Sequence, residues 1–149
     1  IALLSFYDEP ATSLISAIAS LKTAGVDHLV ALDGRYAMFP GEQAASDANQ
    51  HAAIVMTCRE LGLDLTLSVP TEPWEGNEPE KRTALFALGW AVAKDGDWFL
   101  ILDADTVVTK WPDDVRGALE RTESEVAVVN VLDTVALRIR PDSIAARSC

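Results

Sequence analysis

Short strand-like runs alternate along this chain with segments of helical spacing, and that alternation limits the fold more than any other feature. The runs cover residues 1–7, 28–32, 63–69, 98–102 and 125–132, with 135–139 a sixth candidate. Between them, Leu14, Ile15, Ile18 and Leu21 recur at helical spacing after Pro10 and stop at Gly25. A second helix is predicted over about 47–61, with Ile54, Val55, Cys58 and Leu61 on one face and Gly62 closing it. A third, over about 80–94, turns Leu85, Leu88 and Val92 inward and ends at Gly96, and a fourth runs from Pro112 to about Thr122. Strands joined by helices of this length form βαβ units, which build a mostly parallel sheet covered on both faces. The unbroken apolar run at 98–102 agrees with a strand buried on both sides.

At 149 residues, 49% hydrophobic and 23% charged, the chain has the size and composition for one ordinary core, not two. A formal charge of -11 argues against a protein that coats nucleic acid or an anionic membrane, because both require clustered cations. It leaves room for an anionic ligand held locally by a metal ion. Only Cys58 and Cys149 are present, so no disulfide framework is expected and a reducing compartment is the default. No apolar run approaches the roughly 20 residues that span a bilayer, and no basic-then-apolar signal segment opens the chain. The expectation is a cytoplasmic protein without a transmembrane segment. Because Ile1 already lies in a strand-like pattern, 149 residues is taken as a lower bound on the natural length.

In an open parallel sheet the ligand lies outside the carboxyl ends of the strands. The polar residues predicted at those ends are Asp8-Glu9, Asp33-Gly34, Glu72-Pro73 and Asp103-Ala-Asp105. Two carboxylates at i and i+2 after a buried strand can converge on one hard cation, whose open positions phosphate oxygens can fill. Asp103 and Asp105 are therefore the candidate metal ligands. Each of these residues also has a plain structural reading. Asp103 caps a turn, Asp33 is a turn residue beside Gly34, Asp8 and Glu9 cap the first helix, and Lys81-Arg82 is a solvated pair offsetting Glu78 and Glu80.

The 97–108 segment resembles the DXD region of GT-A glycosyltransferases, particularly the family 2-like group, in which an apolar strand runs into an Asp-x-Asp. The resemblance spans roughly residues 1–131. Residues 1–9 are similar to that family's first strand and its polar ending, 29–34 to its second strand with a terminal Asp-Gly, and Lys81-Arg82 to the basic pair before the DXD strand. It implies a three-layer, Rossmann-like GT-A domain that binds a nucleoside-diphosphate sugar, UDP- or GDP-linked, through Mn2+ or Mg2+. Carried onto this chain, Asp33 would meet the base or ribose, and Asp8 or Glu9 would line the nucleotide pocket. Asp103 would face the ribose or sugar, Asp105 would bind the metal, and Lys81 and Arg82 would meet the diphosphate. The N-terminus of their helix would add partial positive charge.

The chain departs from the family after the second strand, where Asp33-Gly34-Arg35-Tyr36-Ala37 replaces Asp-Gly-Ser-x-Asp. Arg35 could meet a phosphate there, and Tyr36 could stack on a base. One domain is expected, with 1–131 as the nucleotide-sugar-binding part and 132–149 as the start of an acceptor-side region. No base motif surrounds Asp133 or Asp142, so the catalytic base is unassigned. The alternatives are a non-catalytic nucleotide-sugar-binding domain and a haloacid dehalogenase-type phosphatase. The phosphatase pattern fits Asp103-Ala-Asp-Thr-Val-Val108 but belongs on a first strand. Glycine-rich phosphate loops are absent. His28 and His51 have no zinc-spaced partner and read as structural, and Trp74 is the one tryptophan placed to serve as a substrate platform.

Overall fold

A computed structural model of the chain describes residues 1–76, 78–108 and 113–123, together with the backbone of 126–128 and 135–138. Four parallel strands form its centre: β1 (Ala2–Ser5), β2 (His28–Leu32), β3 (Asp64–Ser68) and β4 (Trp98–Asp103). Two further strands, β5 (Val126–Val128) and β6 (Val135–Arg138), extend the sheet antiparallel beyond β4, giving the order β3-β2-β1-β4-β6-β5. This is an α/β fold of Rossmann-like character. Asp133 and Asp142, Trp111 and Cys149 lie outside the described residues.

Helices cover both faces of the sheet, because β1, β2 and β4 carry apolar residues on both sides. On one face, α1 (Ala11–Ser20) and α2 (Ala48–Leu61) pack Leu14, Ala17, Ile18, Ile54 and Cys58 against Ala2, Leu4, Leu29, Ala31 and Leu102. On the other, α3 (Glu78–Val92) brings Leu85 down onto Leu3, Val30, Leu32 and Phe99. Gly89 sets how close α3 can come: a Cβ there would sit 2.8 Å from Leu3 and 3.0 Å from Phe99. A short α4 (Val115–Arg121) is capped by Asp114, which accepts from Gly117 N at 3.0 Å.

Helix ends follow the sequence signals. Asp47 caps α2 by accepting from Asn49 N at 2.7 Å, and Gly62 closes it in the left-handed region at φ +68°. The faces are rotated slightly from those predicted. Ile15 and Val55 are exposed, while Ala17, Gln50 and Thr57 are buried. The stripe that meets the sheet in α1 is Leu14, Ala17, Ile18 and then Leu21, at i, i+3, i+4 and i+7, and Ile15 stands one residue off it. The third helix, predicted over about 80–94, runs from Glu78 to Val92. Among the described residues, no helix is long and apolar enough to cross a membrane.

Candidate functional site

The carboxyl ends of β1, β2 and β4 lie side by side, with Ser5 in register with both Leu32 and Asp103. The candidate ligand-binding residues Asp8, Glu9, Asp33, Lys81, Arg82, Asp103 and Asp105 stand at or near this rim, but in three different settings.

At the end of β2, Asp33 is 0% exposed and its carboxylate is fully engaged by the chain itself. Oδ1 accepts from Gly34 N at 2.6 Å and Ser46 Oγ at 2.6 Å. Oδ2 accepts from Ser46 N at 2.7 Å and lies 2.7 Å from His51 Nε2. A buried carboxylate must be matched this way, because desolvation otherwise outweighs its attractions. Asp33 therefore pins both ends of the 34–46 loop, which places it inside the protein in this geometry and not on a ligand-facing surface. Ser46 Oγ in turn accepts from Asp8 N at 2.8 Å, so the β2 end also positions the β1 end. Asp8 is held at φ +52°, a strained setting for a residue other than glycine, and Gln50 Nε2 donates to its Oδ1 at 3.3 Å. Ser46 and Gln50 escaped the sequence reading, and His51, read there as structural, braces Asp33; the three sit 13, 17 and 18 residues beyond Asp33, and only the loop's closure brings them to the rim.

At the end of β4 the setting is open. The Asp103 side chain is 42% exposed and among the described residues meets one partner, Arg82 Nη2 at 3.1 Å; Arg82 Nε also donates to Glu78 at 2.6 Å. Thr106 N donates to Asp103 O at 3.0 Å, so the chain turns at once and Asp105 is exposed. Burial raises the Glu9 carboxyl above its ordinary value, and the charges of Asp105 and Asp8 add to that rise. Glu9 thus senses Asp105 across the rim, and the β1 and β4 ends share one region of negative potential.

Between these two settings lies a cavity of about 300 Å³ lined by Phe6, Glu9, Arg35, Tyr36, Phe39 and Lys81, among others. Lys81, expected beside Arg82 on a diphosphate, is only 2% exposed. Its Nζ donates to Gly34 O at 2.7 Å and Phe6 O at 3.0 Å, tying α3 to the ends of β2 and β1. The Tyr36 ring centroid is 5.3 Å from that nitrogen. Burial pulls the Lys81 ammonium down to about 8, against the opposing pull of Asp33. The sequence pair therefore divides: Arg82 faces the open carboxylates and Lys81 floors the cavity. Arg35 is 8% exposed and donates to Gln43 O and Phe39 O, stiffening the 34–46 loop over the same cavity. Trp74 donates from Nε1 to Asp33 O at 3.1 Å and packs against Gly34, so it braces the loop from the other side. His28 bonds Thr66 Oγ1 at 2.9 Å, away from this rim, as a structural histidine.

A larger hollow of about 400 Å³ opens at the amino ends of the strands, near Ile1, Asp27, Trp98 and Arg116. Parallel sheets place ligands at the opposite edge, where the chemistry-bearing residues gather here.

Fold and rim together define a Rossmann-like α/β domain with an acidic carboxyl edge beside a lysine-floored cavity. Comparison with protein-family models, with curated proteins and with solved structures returns no match to this chain.

Proposed function

We propose that the chain is the nucleotide-sugar-binding domain of a metal-assisted GT-A-type glycosyltransferase. The observation that carries this reading is the open Asp103/Asp105 pair at the end of β4, next to a cavity between the β1 and β2 ends. Among the described residues no three His, Cys, Asp or Glu side chains converge as a metal cage. That donor set suits Mg2+ or Mn2+ bound by one or two carboxylates, with substrate phosphates and waters completing the shell. Asp105 would hold the ion, and Asp103 would contribute once Arg82 turns toward the phosphates. When bound, the ion would offset charge on the diphosphate leaving group. The chain's own part is to orient the donor: Arg82 offers a forked pair of N–H donors to phosphate oxygens, and the 34–46 loop walls the nucleoside side. The acceptor and the group that removes its hydroxyl proton belong to sequence beyond this site.

Calorimetric titration of UDP- and GDP-sugars with and without Mn2+ tests the proposal. The expected result is binding that tightens at least about tenfold with the metal and loses that gain in Asp105→Ala. No binding of any nucleotide sugar, with or without metal, would overturn it.

A further inference from the structure

We infer that the outer face of α1 and α2 is the contact surface of a symmetric, antiparallel dimer of this chain. The inference stands apart from the nucleotide-sugar reading and concerns a surface that the carboxyl edge does not use.

The two helices lie side by side on one face of the sheet and run in the same direction, since each returns from the carboxyl end of a parallel strand. They are tied at both ends. Gln50 Nε2 donates to Asp8 Oδ1 at 3.3 Å where they begin, and Lys22 Nζ donates to Leu61 O at 2.6 Å where they finish. Their inward residues fill the core, which leaves Ile15, Val55 and Met56 exposed on the outside. Exposed Ser16, Ala19 and Ala52 share that outside and are too small to hold a partner helix away. In a chain that is 23% charged, no Asp, Glu, Lys or Arg occurs over residues 10–21 or 48–58. His51, the imidazole in that stretch, is turned to Asp33.

Charge returns at the two ends of this face with opposite character. Exposed Asp8 and Asp47 stand beside the helix N-termini; exposed Lys22 and Arg59 stand at the C-terminal end, with Glu60 offsetting one of them. Among the described residues neither Lys22 nor Arg59 is in an ion pair.

This layout fits a second copy. At a formal charge of -11, two copies repel wherever their charged surfaces meet, and the uncharged face removes that repulsion. A two-fold axis perpendicular to the face lays each copy's helices antiparallel to its partner's. The acidic end of one copy then covers the basic end of the other, and the helix dipoles oppose favourably. A membrane offers no such match, because helices that lie on lipid carry Lys or Arg along their polar face. With helices of 10 and 14 residues, the face is roughly 400 Å² in outline, small for a specific interface. A Kd on the order of 10–100 µM is therefore expected. Both helices start at the carboxyl edge, so antiparallel pairing points the two carboxyl edges in opposite directions and leaves each open.

The test is sedimentation velocity of the whole chain from about 5 µM to about 1 mM in roughly 0.15 M salt. Expected is a monomer that converts to dimer across that range. Met56→Glu, which sets a new carboxylate on each side of the two-fold, should weaken the dimer at least about tenfold without lowering the melting temperature. Should that variant fail to fold, Ala52→Glu on the same face replaces it. Arg59→Glu should weaken the dimer at least about threefold, and an unchanged dimer there would overturn the antiparallel arrangement. A monomer at every concentration would overturn the inference. So would a dimer that a folded Met56→Glu or Ala52→Glu leaves intact, since the contact would then lie elsewhere. Flotation with phosphatidylcholine vesicles covers the other occupant: capture of a monomeric wild-type chain, lost in Met56→Glu, would assign the face to a membrane and not to a second copy.

Discussion

Asp33 and Asp103 reach the same edge of the sheet by the same route, an apolar strand ending in aspartate, and they arrive in opposite conditions. Asp33 is enclosed, with four donors from three residues on its two oxygens. Asp103 is nearly half exposed and has one arginine partner, itself 36% exposed. The strand decides where a carboxylate stands, but the loop that follows decides what it does. After β2, 13 residues fold back to deliver Ser46; after β4, the chain turns within three residues and leaves Asp103 and Asp105 facing outward. One aspartate holds the rim together, and the other is left available to a ligand.

The largest expected effect comes from breaking the enclosed end. Asp33→Ala strands the N–H groups of Gly34 and Ser46, the Ser46 hydroxyl and His51 in a buried setting, and should cost about 3–5 kcal/mol in urea denaturation. Asp103→Ala in the same assay should cost no more than about 1 kcal/mol. Similar losses for the two variants would erase the distinction between the two strand ends.

Lys81 lies between these extremes, and its effect depends on pH. Its folded-state value, about 8, is below the ordinary 10.5, so between those values the unfolded chain binds more protons than the folded one. Stability attributable to this residue is therefore lowest below pH 8 and rises as pH climbs through the interval toward 10.5. The gain should be on the order of 3 kcal/mol when wild type is compared with Lys81→Met across the same pH range. A flat difference curve would mean that the ammonium is not desolvated as its burial implies.

Gly34 tests the enclosed rim through its backbone. Its φ is +124°, and a Cβ would lie 2.6 Å from both Pro70 Cγ and Trp74 Nε1. Gly34→Ala should therefore cost about 2–3 kcal/mol by combining backbone strain with displacement of the Trp74 brace. A thermal melt within about 1 °C of wild type would show that the loop has an alternative path.

These contrasts also mark what the sequence could carry. Strand and helix positions were legible because they rest on local signals: apolar runs, the Asp47 cap, and the stops at Gly25 and Gly62. The candidate edge was legible too, since parallel strands place their carboxyl ends together. Burial of Asp33 was not, because its partners come from a loop whose path depends on Arg35, Trp74 and Gly34 acting jointly. The division between Lys81 and Arg82 was equally hidden. Adjacent helical residues point about 100° apart, so one can face the sheet while the other faces solvent. Which one does so depends on how α3 docks, and Gly89, overlooked in the sequence, sets that contact.

The smallest expected effect is also the sharpest comparison. A double-mutant cycle between Arg82 and Asp103 measures the coupling of a half-exposed ion pair, which loses strength to solvent screening and to the entropy of fixing the arginine. Arg82 is moreover shared with Glu78, so removing Asp103 leaves the guanidinium a partner. The coupling should be about 0.5 kcal/mol and fade in high salt. The same cycle on His51 and Asp33 should exceed it severalfold and resist salt, because that contact is enclosed at the carboxylate end. A strong, salt-resistant Arg82–Asp103 coupling would mean that this pair is a fixed strut. Arg82 would then not be free to leave Asp103 for a diphosphate, and the open rim would lose the mobility that the proposed metal site requires.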